Sequence, residues 1–256
     1  MNASEADRQA LKRAGDHRHP AFLRFFRLVA RNRIAHRLDG LWVAGLDAAR
    51  AALAAGPVLF AANHVAWWDA MLLLPLDEAL GSLGWAVMDA RNLKRMPFFG
   101  WIGALPLDRS SPERSRECLE SSAALLDRPG RGMWIFPQGR QRPAHLRPLS
   151  LRPGVQTMYH CNPVQIIAVS VDYVFLEKSR PAAVVRFSPP VPVDSGHVIE
   201  AVESELLAGL DQIDTAVIVA TDGRRARTHP DDPLPGFLPL VRPARLLPRR
   251  GGPHGR

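Results

Sequence analysis

Short apolar runs alternate with helix-forming segments along most of this 256-residue chain. Apolar runs of this length, bounded by turn residues, favour buried strands, whereas the segments between them carry helical periodicity or capping residues. The strand-like runs lie at 41–45, 57–62, 84–88, 105–107, 132–136, 164–171 and 184–187. The predicted helices lie at 21–38, 48–55, 70–74 (stopped by Pro75), 112–127 and 195–212. This alternation predicts an α/β fold with a mostly parallel or mixed central sheet flanked by helices.

Composition divides the chain into three segments. Residues 1–38 hold a polar stretch and a basic helix, residues 39–222 hold the α/β domain, and residues 223–256 form a Pro/Arg-rich tail. The proline, glycine and charge content of the tail predicts disorder. Because residues 1–20 are polar and no apolar run approaches the ~20 residues that span a bilayer, we expect neither a secretory signal peptide nor a membrane span.

Charge and cysteine content limit the classes of partner. The formal net charge of +8 and the pI near 10.6 predict an anionic partner: nucleic acid, an anionic membrane surface, or phosphorylated substrates such as coenzyme A esters. The arginines are spread along the chain without a recognised nucleic-acid motif, so we expect no nucleic acid. Cys118 and Cys161 match no metal-ligand spacing and suit a reducing compartment, so we expect no metal.

The N-terminal helix predicted at 21–38 is the most one-sided segment. Three arginines and three apolar residues recur at helical spacing on separate faces: Arg24, Arg27 and Arg31, and Phe22, Phe26 and Val29. A basic amphipathic helix with exposed aromatic residues is typical of an interfacial membrane anchor. The alternative is a helix whose phenylalanines pack on the domain and whose arginines are merely solvated. The pattern leaves both interpretations open.

His64 and Asp69 lie at the junction between the predicted strand at 57–62 and the following helix. In a regular helix this spacing would leave the two side chains about 140° apart, so they meet only if the backbone turns first. A strand–turn–helix junction allows the turn. A neutral His64 can then take a proton from a hydroxyl group, while Asp69 fixes its tautomer and stabilises its charged form. The alternative is a structural histidine beside a helix-start carboxylate.

The stretch 61–69 contains no serine or cysteine that could act as an enzyme nucleophile. The simplest mechanism is therefore direct attack of a substrate hydroxyl on an acyl donor. Two further predicted strands also end in polar residues, at Asp108-Arg109 and at 138–140. Because ligands of α/β folds bind beyond the carboxyl ends of the strands, we expect these ends to converge with Asn63 and His64 on one rim.

These three clusters together resemble the glycerolipid acyltransferase family, which includes the lysophosphatidic acid acyltransferases. Asn63-His64-x-x-x-x-Asp69 is similar to the first family motif, and the segments 97–100 and 103–109 are similar to the second, which ends in an arginine. Residues 136–139 resemble the third motif, Phe-Pro-Glu-Gly, and residues 152–154 resemble the basic-x-Gly that follows it. Order and spacing agree from about residue 40 to residue 172.

The resemblance implies an O-acyltransferase of the 1-acylglycerol-3-phosphate type, which moves a fatty acyl group to a lipid hydroxyl in phospholipid biosynthesis. The acyl donor thioester, acyl-CoA or acyl carrier protein, is a co-substrate, and no cofactor is expected. The resemblance implies His64 as general base, Asp69 as its orienting partner and Arg109 as a ligand of the acceptor phosphate. The other residues assigned to substrate binding are Asn63, Gln138, Gly139 and Arg140. We expect a cytoplasmic protein, peripherally associated with the inner face of the cytoplasmic membrane.

Four positions depart from the family pattern. Gln138 stands for the family glutamate, and the arginine that follows the motif lies one position earlier, at Arg140. Ala90 stands where the second motif has a lysine, and Ile166 where the fourth has a proline. Replacing the carboxylate by an amide alters the preference for an acceptor headgroup more readily than the acyl-transfer chemistry. The alternative is that the replacement has no effect on either. The acceptor therefore need not be lysophosphatidic acid; a glycosylated lipid, another lysophospholipid or a hydroxylated isoprenoid also fits.

A non-catalytic lipid-binding module on the same fold is the main alternative to an enzyme. The altered third motif favours it, whereas the intact pair of His64 and Asp69 argues against it. The segment 96–103, rich in breakers and large apolar residues, also has two interpretations. It forms either a wall for a lipid chain or an irregular part of the core.

Overall fold

The computed structural model describes residues 18–176, 178–222 and 234–244. Within these ranges eight strands form one sheet. They are β1 (Leu41–Ala44), β2 (Val58–Ala62), β3 (Leu83–Asp89), β4 (Ala104–Leu107), β5 (Arg131–Ile135), β6 (Gln165–Val174), β7 (Ala182–Pro190) and β8 (Leu238–Val241). Their order across the sheet is β4-β3-β5-β2-β6-β7-β1-β8.

Helices cover both faces of this sheet. They are α1 (Pro20–Arg37), α2 (Leu46–Ala55), α3 (Asp69–Leu80), α4 (Ala90–Arg95), a 3₁₀ helix (Pro97–Ile102), α5 (Pro112–Ala123), α6 (Gly154–Cys161) and α7 (Val198–Asp222). The first three α-helices bury apolar side chains against one face, and α5, α6 and α7 bury theirs against the other. The result is a three-layer α/β/α arrangement.

Most neighbouring strands in the sheet are parallel. Parallel pairing runs without interruption from β4 through β3, β5 and β2 to β6. β7 pairs antiparallel with β6 and parallel with β1, and β8 pairs antiparallel with β1. The helices that connect parallel strands must lie on the sheet faces, which buries the central strands on both sides. The predicted α/β class, with a mostly parallel or mixed sheet flanked by helices, is confirmed.

The central strand β2 explains why the sequence shows continuous apolar runs rather than alternation. All five of its residues are buried. Leu59 and Ala61 face the core cluster under α5, α6 and α7, while Phe60 and Ala62 face the cluster under the other helices. A strand covered on both faces needs apolar residues at every position. Because β2 lies in the middle of the strand order, its end stands near the centre of the rim of the sheet.

The helix after β2 does not stop at Pro75, so that prediction was wrong. α3 continues to Leu80 and ends at Gly81, which adopts the left-handed conformation (φ 68°) that favours glycine at a helix C-terminus. Proline inside a helix costs about 3 kcal/mol. Complete burial contributes about 1.5–3 kcal/mol for each large apolar side chain. Leu72 and Leu76 are both fully buried on this helix, which is enough to offset the proline.

The predicted disorder of the tail from residue 223 is wrong for part of it. Leu238–Val241 forms β8 at the edge of the sheet, paired with β1. An edge strand tolerates proline because one side of its backbone needs no partner, and Pro239 stands opposite Trp42 here. The rest of the predicted tail, at 223–233 and 245–256, lies outside the described residues, as do residues 1–17.

Candidate active site

The turn between β2 and α3 brings His64 and Asp69 together. β2 ends at Ala62, and α3 begins at Asp69 itself. Nδ1 of His64 lies 2.6 Å from Oδ2 of Asp69. The Asp69 side chain is 1% exposed, whereas that of His64 is 23% exposed and reaches solvent. The predicted turn before the helix is therefore present, and it places an accessible imidazole on a buried carboxylate.

The Asp69 carboxylate is held by both of its oxygens. Oδ2 accepts hydrogen bonds from the backbone N–H groups of Val65 (2.7 Å) and Ala66 (3.0 Å), in addition to the contact with His64. Oδ1 accepts from the hydroxyl of Tyr173 at 2.6 Å. A carboxylate in the first turn of a helix is also favoured by the helix dipole. Its position is thus fixed from two directions.

The end of β5 holds His64 from the other side. Oε1 of Gln138 accepts a hydrogen bond from the His64 backbone N–H at 2.6 Å, and Nε2 of Gln138 donates to the Leu149 carbonyl at 3.2 Å. The Phe136 ring stacks on the imidazole, with the ring centroids 4.5 Å apart. The third motif therefore positions the backbone and the ring of His64.

Asn63 joins β2 to β6 beyond the last backbone pair of the two strands. Its Nδ2 donates to the Val171 carbonyl at 2.9 Å, and the Val171 N–H donates to its Oδ1 at 2.7 Å. Asn63 is 1% exposed. The side chain thus extends the ladder between the two strands, and this holds the turn that carries His64 at the rim of the sheet.

A cavity of about 500 Å³ opens at this rim. It is bordered by α3, by β3 and β4, by the 3₁₀ helix and by the segments that follow β4 and β5. Four of the residues that we predicted from the sequence line it: His64, Arg109, Gly139 and Arg140. Asp69 lies behind His64, and the buried side chains of Asn63 and Gln138 are bonded to backbone groups rather than directed into the cavity. The predicted convergence of three strand ends is present.

One end of the cavity is cationic. Arg109, Arg140 and Arg152 line it, together with the backbone around Gly139. Nη1 of Arg109 donates to the Gly139 carbonyl at 3.0 Å and lies 3.9 Å from the Asp89 carboxylate. Asp89 is bonded more closely to the exposed Arg91, which lowers the pKa of its carboxyl. Arg109 is thus partly neutralised, while Arg140 and Arg152 add further positive charge to the lining of the cavity.

The other end is an apolar arm that runs along α3. Ala70, Leu73, Leu74 and Asp77 line it at the spacing of one helical face. From Ala70 to Asp77 the helix rises by about 10 Å. Ala86 and Ala104 face the arm from β3 and β4, and Phe99 and Ile102 from the 3₁₀ helix. The segment 96–103 therefore serves as a wall of the cavity as well as a part of the packing.

Asp77 stands at the far end of this arm and was not singled out by the sequence. It accepts a hydrogen bond from Nε1 of Trp134 at 2.8 Å. A Cβ atom at position 84 would collide with its carboxylate, so any larger residue there would have to displace the Asp77 side chain. Burial raises the pKa of the Asp77 carboxyl to about 6. Asp77 is followed by the exposed Glu78, and the sequence gives no signal that separates the two acids.

Neither a cluster of metal-ligating side chains nor a helix that could span a membrane is found among the residues that the structure describes. Across 18–176, 178–222 and 234–244, no group of three or more His, Cys, Asp or Glu side chains is arranged to hold a metal ion. Cys118 and Cys161, the two cysteines of the chain, form no disulfide bond. None of the helices in these ranges combines the length and apolar character that a bilayer crossing needs.

The fold and the site define an α/β protein with a histidine–carboxylate pair at the mouth of a cationic and apolar cavity. A family model described as Acyltransferase matches residues 42–172, just over half of the chain, and this range contains the pair, Arg109 and the end of β5. The chain therefore belongs to the acyltransferase family, the family of the glycerolipid and lysophosphatidic acid acyltransferases, as the resemblance predicted. Family membership implies acyl transfer, with an acyl donor and a lipid acceptor. No curated protein matches the chain at a significant level.

Proposed function

We propose that the protein is an O-acyltransferase in which His64 deprotonates the hydroxyl group of a lipid acceptor. The observation that carries this proposal is the 2.6 Å contact between His64 Nδ1 and the buried carboxylate of Asp69, with the imidazole lining the cavity. Because an ionised carboxylate only accepts hydrogen bonds, Nδ1 carries the proton of the neutral ring. Nε2 then keeps a lone pair that can accept the proton of a hydroxyl.

The proposed reaction needs no covalent enzyme intermediate. The hydroxyl proton moves to Nε2 of His64 as the oxygen forms a bond to the thioester carbon. The carbon–sulfur bond then breaks, and the sulfur leaves with the proton that His64 returns. Asp69 stabilises the imidazolium between these steps, which is the role of the carboxylate in hydrolytic triads. The donor is acyl-CoA or acyl carrier protein, and no cofactor is required.

The cationic end of the cavity supports an anionic acceptor headgroup. Arg109, Arg140 and Arg152 present guanidinium groups, which bind phosphate and carboxylate oxygens in pairs. We therefore assign headgroup binding to these three side chains and to the Gly139 backbone. A lysophospholipid fits them directly. The side chain of Gln138 contacts backbone groups instead, so the headgroup preference is assigned to the arginines.

The apolar arm along α3 supports the binding of a fatty acyl chain. Its walls are aliphatic or aromatic over the length between Ala70 and the carboxyl of Asp77. Small residues on the facing strands, Ala86 and Ala104, leave the space open. Burial of a hydrocarbon chain there contributes about 0.8 kcal/mol for each methylene group.

We also propose that α1 docks on the membrane surface that holds the acceptor. Phe26 of α1 packs against Phe98 of the 3₁₀ helix, whereas Phe25 and Leu28 are 59% and 68% exposed. Trp101 is exposed beside them, with its ring 5.3 Å from that of Phe22. Exposed aromatic and aliphatic side chains on a basic helix suit the interface of an anionic bilayer. This surface adjoins the apolar arm through the 3₁₀ helix, which supports docking on lipid, and we extend the proposal to the inner face of the cytoplasmic membrane.

Release of free coenzyme A tests the proposal. Purified protein with acyl-CoA should release it only when a suitable acceptor is added from a panel of lysophospholipids, glycosylated lipids and hydroxylated isoprenoids. His64→Ala should lower the rate by a factor on the order of 10² to 10⁴. His197→Ala is the matched control, because His197 also pairs with a carboxylate, Asp194 at 3.0 Å, but on the surface.

Two outcomes would overturn the proposal. Full activity of His64→Ala would refute the role of His64 as general base. Binding to lipid vesicles with no turnover on any acceptor would favour the non-catalytic lipid-binding module instead.

A further inference from the structure

Tyr173 is one of only two tyrosines in the chain, and it contacts the catalytic pair. It lies near the end of β6, and its hydroxyl donates to Oδ1 of Asp69 at 2.6 Å. The two residues are 104 positions apart in the sequence. Tyr173 does not line the cavity, so its contact with Asp69 links the pair to the sheet rather than to a bound substrate.

The sheet register explains how Tyr173 reaches Asp69. Backbone pairing of β2 with β6 ends at Ala62 and Val169, after which the Asn63 amide is bonded to both backbone groups of Val171. Alternate residues of a strand share a face, and Val169, Val171 and Tyr173 all pack in the core cluster that contains α3. The tyrosine side chain therefore lies over the first turn of that helix, where Asp69 stands.

The two oxygens of Asp69 are held by different parts of the chain. Oδ2 accepts from His64, Val65 and Ala66, which belong to its own turn. Oδ1 accepts from Tyr173, which lies on β6, directly after the last residue of the family match. With the carboxylate almost completely buried, loss of a donor leaves an oxygen poorly solvated. Burial and the charge of Asp69 raise the pKa of the Tyr173 hydroxyl, so it stays protonated and remains a donor.

We infer that Tyr173 is a positioning residue for acyl transfer, which holds the Asp69 carboxylate in the rotation that directs Oδ2 at Nδ1 of His64. This inference rests on the proposed function. The hydroxyl has a second effect, because it withdraws part of the carboxylate charge from the oxygen that faces the imidazole. Removing it leaves more negative charge beside His64 and favours the protonated ring, which cannot act as a base.

Tyr173→Phe tests this inference, with Tyr159→Phe as the matched control. Tyr159 packs on the core cluster of the opposite face of the sheet. A hydrogen bond to a charged group contributes about 1.5–3 kcal/mol, so we expect kcat to fall about 10- to 100-fold. The KM values for acyl-CoA and acceptor should stay within about twofold, since Tyr173 does not line the cavity. The acidic limb of the pH–rate profile should move to higher pH.

Fluorination of the Tyr173 ring, at the two positions beside its hydroxyl, gives a second test that keeps the hydroxyl in place. In the Tyr159→Phe background Tyr173 is the only tyrosine, so biosynthetic incorporation of 3,5-difluorotyrosine labels that position alone. The fluorinated phenol is more acidic and donates a stronger hydrogen bond. We expect the acidic limb to move to lower pH, opposite to the effect of Tyr173→Phe.

The outcomes separate this inference from the proposed function. If His64→Ala loses activity but both changes at position 173 leave kcat and the acidic limb unchanged, only the positioning role is refuted. A loss of stability without a shift of the limb would reduce Tyr173 to a packing residue and would also refute it. If His64→Ala keeps the wild-type rate, the proposed function fails and the positioning role fails with it.

Discussion

Gln138 joins two backbone groups of the site that lie on different segments. Its carbonyl oxygen accepts from the His64 N–H, and its amide nitrogen donates to the Leu149 carbonyl. The carboxylate found at this position in the family motif can make the first contact but not the second. The amide of this chain therefore suits its own surroundings, in which a buried carbonyl needs a donor.

We predict that Gln138→Glu destabilises the folded protein. At neutral pH a carboxylate oxygen would face the Leu149 carbonyl in a buried position, which costs about 1–3 kcal/mol of unfolding free energy. The deficit should shrink on acidification, because a protonated carboxyl regains a donor. Urea unfolding at pH 7 and pH 5 measures both effects, with the exposed Gln141→Glu as control. Unchanged stability, with a gain of activity on lysophosphatidic acid, would instead assign headgroup selection to position 138.

Sequence reasoning at this scale succeeded where the partners are close in the chain. The spacing of His64 and Asp69 required only a turn before the helix, and the turn is present. The direction of a side chain is harder to predict, because an amide can face substrate or backbone equally well. Asn63 and Gln138 were assigned to substrate and contact backbone instead. Tyr173 carries no motif, and only the register of β6 places it.

At the scale of the secondary-structure elements, the width of the apolar arm depends on small residues of β3 and β4 that face α3. Gly84, Ala86 and Met88 alternate on that face of β3, and all three line the cavity. The Asp77 carboxylate occupies the space where a side chain at position 84 would lie, and the small side chain of Ala86 leaves room between β3 and α3. The size of one strand residue therefore sets how much hydrocarbon the arm accepts.

We predict that Ala86→Leu narrows the preference for acyl-chain length. The added methylene groups fill the arm, and overpacking costs about 1–3 kcal/mol, so kcat/KM for long-chain donors should fall about 10-fold or more. Short-chain donors should react as before, because they do not reach the arm. A series of acyl-CoA donors measures the change, and Ala79→Leu, on α3 outside the cavity lining, is the control. An equal loss at every length would indicate general distortion and contradict the prediction.

The elements most readily predicted were those with strong local signals. Continuous apolar runs marked the parallel strands because these are buried on both faces. Ser111, Pro112 and Glu113 marked the start of α5. The prediction that the helix stops at Pro75 failed because burial of the apolar side chains of α3 outweighs the local cost of a proline inside the helix. The two-turn helix α6 is too short for periodicity to detect. The strand β8 lies in a segment whose proline content predicted a disordered tail, and it forms by pairing with the distant β1.

At the scale of the molecule, the surface around α1 bears on how the protein meets lipid. The sequence left open whether the phenylalanines of α1 pack or remain exposed, and both occur. Phe26 packs against the 3₁₀ helix, while Phe25 and Leu28 face outwards. Membrane association stays a prediction, supported by this apolar surface and by the net charge of +8.

We predict that the double variant Phe25→Ser/Leu28→Ser binds anionic vesicles at least 10-fold more weakly than the wild type. Each exposed side chain contributes about 1.5–3 kcal/mol when buried in the interface. Sedimentation with vesicles of anionic and of neutral lipid measures the effect. Ile218→Ser/Val219→Ser is the matched control, because these residues of α7 are 58% and 50% exposed. Equal binding of both variants would exclude α1 as the docking surface.

The short range of the contacts at Oδ2 of Asp69 has a consequence for how this site can change. All three of its donors lie within five positions of the carboxylate. Such a loop closes at little entropic cost and does not depend on the identity of the cavity walls. Substitutions in the cavity walls can therefore change which substrates bind while the turn that joins His64 to Asp69 keeps its geometry. A change of substrate in this protein then needs only a few side-chain replacements.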